Sequence, residues 1–428
     1  MEHASEVPTS LAELRLPPGF VADHCIRTLS YQGPMSAVDI AKHWRVRDSV
    51  ALEVIDSLKG SGLVRAETGP TDLDRLGRVR LSDAGQARVT TARERTWYAG
   101  PLPVSLANLG RLADSTACGC SPASVRAELS ALAITRSLAD ELGQAMVGGA
   151  TVALAGAGWD EQADIAAALG STLTGQVQLP YAAFAAGSVM RVFDPSRHRI
   201  HEARAEEGEE RDILRSRGGE RTQWVTVAPP VVTLAGGIHV SDVLPAYDEE
   251  ARFYLAPLPF AAWGGILCVM DSASDPAALA DLARLWLIPG RQRTGIVLLR
   301  SGERIEVPWR ASSVLFNATD EVLPAGVRDA VTYRVDISEL RGEAIETFVA
   351  RRLDDTAVFP PSAVSAVAEL LGRVGLVTRT QAASVAQYLR HRAAYEGPGF
   401  SLARTTLQQA IDFASNAPQR PAADLRAA

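Results

Sequence analysis

Lysine is almost missing from this sequence. Among 428 residues there are two, Lys42 and Lys59, so beyond position 59 arginine carries the fixed positive charge and no lysine can grip a phosphate. Cysteine is scarce as well: four in so long a chain cannot build a disulfide framework. Only Cys118 and Cys120 are close neighbours, and CGC with no nearby histidine or third cysteine does not make a zinc motif. Long apolar runs are absent too. The longest, AMVGGATVALAGAG (145–158), is Gly-rich and falls short of the ~20 residues a membrane helix needs, so no membrane insertion is expected. The opening MEHASEVPTSLAEL lacks the basic start and apolar run of a secretory signal, and a cytoplasmic address is expected. Nor is there an excess of positive charge. A net charge of −7 excludes a nucleic-acid coat over the whole protein and confines any DNA contact to a local patch.

What is present fits a soluble chain of two or three domains, with a hydrophobic fraction of 47%. After an N-terminal tail (1–15), SAVDIAKHW places Val38, Ile40 and Ala41 at helical spacing, and RVRD makes a short turn. SVALEVIDSLKGSGLV continues as a second amphipathic helix, with Val50, Val54, Ile55 and Leu58 on one face, and stops at Gly60 and Gly62. VRAET and GRVRLSDAGQARV predict two strands joined by GPTDLDRLG, with a further helix from near Ser82. Over 16–95 this pattern resembles the winged helix-turn-helix domains of bacterial regulators. In such a domain the second helix enters the major groove and the wing touches phosphate. Here that helix carries Asp48, Glu53 and Asp56 against Lys59 alone. The candidate DNA contacts are Arg45 and Arg47 in the turn and Arg65, Arg75, Arg78 and Arg80 of the wing. The same arginines suit a solvated wing or an acidic protein partner.

TWYAGPLPVSLANL, with two prolines, predicts an extended linker strap over 96–125. From 126 to 337 apolar strands alternate with helices: TVALAGAG before EQADIAAALG, QWVTVAPPVVTLAGG broken at Pro229 and Pro230, WGGILCVMDSASD, and SSVLFNATDE. RTGIVLLRSGERIEVPW reads as a hairpin. Apolar strands separated by helices indicate an α/β parallel sheet covered on both faces. Residues 338–415 read as helices only, and 416–428 as a flexible tail. EARAEEGEERDILRSRGGER (202–221) reads as an exposed insertion, and His198 and His201 as residues of a solvated loop.

This layout resembles the AAA+ ATPases, most closely the bacterial winged-helix members associated with Flp pilus assembly. The strap YAGPLPVSL, RVFDPSRH, ARFYLAPL and the closing ARTTLQQAIDFA agree in order and spacing. The resemblance implies a three-layer P-loop NTPase-like parallel sheet with a C-terminal helical lid and an N-terminal winged helix-turn-helix. It also implies ATP and magnesium in the cleft, although no cofactor is required by the residues themselves. An active member presents a glycine loop ending in glycine, lysine and threonine, whose amides and lysine hold phosphate and whose hydroxyl holds magnesium. Laid on AGAGWDEQADIA, Gly156 begins the loop and Gly158 lies within it. Glu161 then stands for the last glycine, Gln162 for lysine and Ala163 for threonine. Glu161 puts a carboxylate where the anion belongs, and Trp159 adds bulk. Walker B reads Met270 and Asp271, so one acid of two survives. The sensor position holds Thr319, with Asn317 two residues earlier; the arginine pair reads Asp329 and Ala330, with Arg328 one place off. Arg404 keeps the place of the lid arginine that contacts γ-phosphate.

The nucleotide-site remnant is therefore Gly156, Gly158, Gln162, Asp271 and Arg404, with no catalytic residue and no metal ligand set. The losses take away the charges on which phosphoryl transfer depends. The expected function is a pseudo-ATPase: an interaction, scaffold or regulatory module partnered by an active AAA+ paralogue or by its own copies. Two alternatives stand beside it. One is a nucleotide-binding ATPase with weak or partner-completed activity; the other is a winged-helix regulator that binds DNA.

Overall fold

The computed structural model describes residues 8–67, 77–113, 119–201, 222–272 and 274–416. Arg75, Cys118, the insertion 202–221 and residues 417–428 of the tail lie outside them. Near the N-terminus, helices Pro18–Gln32, Ala37–Trp44, Asp48–Gly60 and Asp83–Arg95 pack with a small antiparallel sheet, in which Arg78–Leu81 lies between Met35–Ser36 and Val64–Ala66. Local chemistry sets the helix starts. The Ser36 hydroxyl accepts the Asp39 N–H while Asp39 reaches back to the Ser36 N–H, and Ser82 caps the last of these helices through Gly85. A Cβ at Gly85 would overlap the Leu63 carbonyl, so only glycine lets that helix cross there. Leu11–Leu14 is a helical turn whose Leu14 is buried in this core, and Val38, on the same helix as Ile40 and Ala41, is half exposed because it faces away from the core.

The strap is extended only to Ser105; helix Leu106–Ala113 follows, and Pro122–Ser130 is helical as well. Its extended part is fastened by side chains of the N-terminal helices. Arg27 donates to the Tyr98 carbonyl (2.9 Å), and the His24 and His43 rings bond the carbonyls of Gly100 and Ala99 (3.0 and 2.6 Å). Val104–Ser105 then joins a mixed five-stranded sheet with Ala182–Ala185, Ser188–Arg191, Phe253–Leu255 and Ala246–Asp248. Phe184 of that sheet packs against Phe20, the rings tilted with centres 4.3 Å apart, which docks the N-terminal unit on the remainder.

The central sheet is all parallel. Its strands are β1 (Thr151–Ala155), β2 (Val231–Leu234), β3 (Ile266–Val269), β4 (Ser312–Phe316) and β5 (Tyr333–Asp336), in the order β2-β3-β4-β1-β5. Alternate side chains leave on opposite faces. Ala153, Leu267, Val269 and Leu315 meet Phe260, Trp263, Trp286 and Trp309 on one side. Val152, Leu154, Cys268, Val314 and Phe316 meet Leu142 from helix Arg136–Gly148, and Ile165 and Leu169 from helix α1 (Trp159–Ser171), on the other. Burial on both faces explains why these strands read as unbroken apolar runs. The connections leaving β1 and β4, neighbours in the sheet, run to opposite edges. Such a switch point opens a crevice at the C-terminal ends of the strands.

Helices α2 (Glu343–Arg352), α3 (Pro361–Val374), α4 (Arg379–Glu396) and α5 (Arg404–Asn416) form a C-terminal bundle around Phe348, Leu371, Leu389 and Ala410. It begins directly after β5 and is tied to that exit by Arg379 N–H to the Ser338 carbonyl and Leu340 N–H to the Val377 carbonyl. The bundle therefore sits at the mouth of the crevice.

Candidate functional site

After β1 the chain turns at Gly156 with φ +86°, and a Cβ there would overlap the backbone of Ser338. Glycine is required twice over, by conformation and by contact. Gly158 is the N-cap of α1, and its N–H donates to Oε2 of Glu161 (2.9 Å). The helix thus caps itself with its own carboxylate at the end where exposed N–H groups and the dipole favour an anion.

The bundle closes on this carboxylate. Arg379, only 2% exposed, donates Nη1 to Oε1 of Glu161 (2.5 Å), Nε to the Ile337 carbonyl (2.7 Å) and Nη2 to the carbonyls of Leu132 and Ala133 (3.0 and 2.7 Å). Arg352 bonds Asp160 and lies 3.8 Å from Oε2 of Glu161; Arg351 pairs with Asp164 at 2.5 Å. Both Arg352 and Arg379 sit over the Phe348 ring, each 5.2 Å from its centre. The Arg352 hydrogen bond holds the Asp160 carboxyl below the usual carboxylate range. Burial pulls the Arg379 guanidinium below its ordinary value, against the attraction of Glu161. Three carboxylates of the first turns of α1 thus meet three arginines of the bundle.

Behind this lock, Gln162 is buried and its Oε1 accepts the Asp271 N–H (3.1 Å); its Nε2 has no partner among the described residues. The amide fastens α1 to the end of β3. Asp271 (φ +43°) and Asn317 (φ +56°) both turn left-handed just past their strands, a conformation these residue types tolerate better than most. Ser272 donates N–H and Oγ to the Phe316 carbonyl (3.1 and 2.7 Å), which joins the ends of β3 and β4.

A cavity of about 630 Å³ lies between the start of α1 and α4, lined by Glu161, Arg352, Arg379, Ser384, Gln387 and Arg390 among others. Of the residues singled out in sequence, Gly158 lines it, while Gly156, Gln162 and Asp271 lie in the structure that supports it. Arg404 does not belong: its exposed side chain starts α5, outside the lining. Trp159 is 61% exposed, so its ring occupies solvent and not the loop. Thr319 is exposed and Arg328 donates to the Asp320 carbonyl, neither on the cavity. The cations that reach the site, Arg352 and Arg379, escaped the sequence reading. Thr378 and Gln381 form a capping box that marks the start of α4, and this signal would have put Arg379 at its first position.

At the N-terminal unit, Arg65 stands opposite Arg80 across the strands, and Arg78 is two residues from Arg80, so the three share the sheet face opposite buried Val64 and Val79. Arg45 stands apart, stacked over the Tyr181 ring at 5.0 Å, and Arg47 is the exposed N-cap of helix Asp48–Gly60. That helix is partly covered by the segment before it: Ser49 Oγ donates to the Thr9 carbonyl and the Leu11 N–H to Glu53.

Among the described residues no cluster of three or more His, Cys, Asp or Glu side chains suits a metal ion, and no helix is long and apolar enough to cross a membrane. His198 is not in a solvated loop. It is buried, its Nδ1 accepting the Asp194 N–H (2.9 Å) and its Nε2 bonding the Ala261 carbonyl (2.9 Å). His201 is exposed. The geometry around α1 is thus suited to holding fixed charges together. No family model matches this chain, and no curated protein matches it.

Proposed function

We propose that the chain is a catalytically inactive AAA+-like protein, a P-loop NTPase-like sheet with a helical lid and a winged helix in front, that serves as an interaction, scaffold or regulatory module. An active paralogue or further copies of itself are the partners this reading favours. Support comes from the parallel sheet with β1 inside it, the glycine turn leading into α1, and a helical bundle over the crevice. The observation that carries the reading is Glu161, which takes the anion position at the start of α1 and pairs there with buried Arg379.

An exposed helix N-terminus offers an anion roughly 0.3–1 kcal/mol. Glu161 already holds that place and the Arg379 pair, so an incoming phosphate exchanges one anion for another, with no lysine and no magnesium-binding hydroxyl to favour the exchange.

Calorimetric titration with ATP and magnesium tests this directly. The wild-type protein is expected to give no binding heat, and so is a Gln162→Lys, Ala163→Thr variant, because Glu161 still fills the place. Adding Glu161→Gly to that variant is expected to admit nucleotide. Micromolar binding by the wild type, or phosphate release by it alone, would overturn the reading.

A second reading, a DNA-binding regulator, has one observation in its favour: Arg65, Arg78 and Arg80 share a sheet face on which Arg65 and Arg78 are exposed. On that reading an Arg78→Ala, Arg80→Ala variant loses a salt-dependent DNA mobility shift, since phosphate contacts release counterions. An unchanged shift ends it.

A further inference from the structure

The opposite end of the sheet holds a cavity of about 340 Å³ that the proposed function does not use. Four connecting segments enclose it: the turn entering β1, the residues before the hairpin Thr294–Leu298/Arg304–Pro308, the exit of that hairpin at Trp309 and Arg310, and the start of β5. Arg291, Arg293 and Arg310 line it, with the hydroxyl-bearing Thr151, Thr332 and Tyr333, and no carboxylate side chain is among the lining residues.

Arg293 is the telling member. It sits at φ +59°, where an L side chain is unfavourable and glycine is the default. Its N–H donates to the Gly290 carbonyl and its carbonyl accepts the Trp309 N–H, both at 2.9 Å, and the Thr294 hydroxyl closes the same turn on the Pro289 carbonyl at 3.2 Å. Arg291 is aimed by its bond to the Asp329 carbonyl. Arg293 and Arg310 have contacts of their own in the fold, and a ligand would share their donors; each guanidinium carries five.

We propose that this cavity binds a small phosphate-bearing ligand with at least two negative charges, held by Arg291, Arg293 and Arg310. Planar guanidinium groups match phosphate oxygens in pairs, and three of them without a lining carboxylate favour a polyanion. The volume admits a phosphate group with a small organic body. The site lies at the start of β1, a strand's length from the turn that leads to Glu161, so it stands or falls separately from the reading above.

Titration with pyrophosphate at low salt, followed by calorimetry, tests it. Saturable binding is expected for the wild type, weakened tenfold or more by Arg293→Gly and by Arg291→Ala. Glycine suits the left-handed turn, and the melting temperature is read on each variant, so that weakened binding at an unchanged melting temperature separates lost binding from lost folding. Arg390→Ala, in the cavity beside α4, leaves the titration unchanged. Absence of wild-type binding, binding indifferent to Arg293→Gly, or loss only with Arg390→Ala would each overturn the proposal.

Discussion

Arg379→Ala is expected to destabilise the union of the C-terminal bundle and the sheet by about 3–5 kcal/mol, the cost of breaking a buried ion pair from one side. The variant leaves Glu161, which is 13% exposed at its side chain, with the Gly158 N–H and with Arg352 at 3.8 Å as the nearest charge. It also leaves the carbonyls of Ile337, Leu132 and Ala133 without the donors that now satisfy them. Arg379→Lys recovers only part of the loss, because one ammonium cannot reach four acceptors spread around a planar fork. Glu161→Ala has a comparable effect from the other side. The double variant Glu161→Ala, Arg379→Ala costs less than the sum of the two, since the second change removes the charge that the first left unpaired. Urea denaturation read at the first transition, with proteolysis at 338–342 as a second probe, measures this. A loss within about 1 kcal/mol of wild type for Arg379→Ala would show that the ion pair does not hold the bundle.

Much of the central sheet was legible because its physics is local. Strands buried on both faces are apolar along most of their length, as in ILCV and in the VLF of SSVLF. The missing lysine was legible for the same reason: Gln162 stands in an ungapped run with Gly156 and Gly158. The ion pairs were not. Arg379 and Glu161 are 218 residues apart, and in a chain whose cations are nearly all arginine no single arginine stands out. Arg404 was chosen by its place in a motif, whereas contact with the cavity depends on how α4 and α5 pack, which no short stretch encodes. The second sheet escaped for a related reason. Val104–Ser105 is two residues long and finds its partner at Ala183 and Phe184, far down the chain, so neither periodicity nor turn chemistry announces it.

Acid is expected to loosen the protein from about pH 6.5 downward, well before its carboxylates titrate. His24 is fully buried; desolvation and the nearby Arg27 charge hold its pKa well below the ordinary histidine value. Burial likewise lowers the pKa of His198. Both rings are therefore neutral in the fold, and the bonds at His198 show why: Nδ1 accepts an N–H, so a proton there would face a donor. In the unfolded chain each ring takes up a proton near its ordinary value of 6.5. Between that pH and the lowered folded value the unfolded state binds more protons, so stability falls as pH falls, by at most about 1.4 kcal/mol per pH unit for each ring. The two act in different places. His24 fastens the strap through the Gly100 carbonyl, whereas His198 fastens the segment after Arg191 to the Ala261 carbonyl. Urea midpoints between pH 7.5 and 5 are expected to drop steeply for the wild type, and less steeply for His24→Gln or His198→Gln, whose amides do not titrate. A wild-type midpoint that stays level across that range would mean that the rings take up protons in the fold as readily as in the unfolded chain.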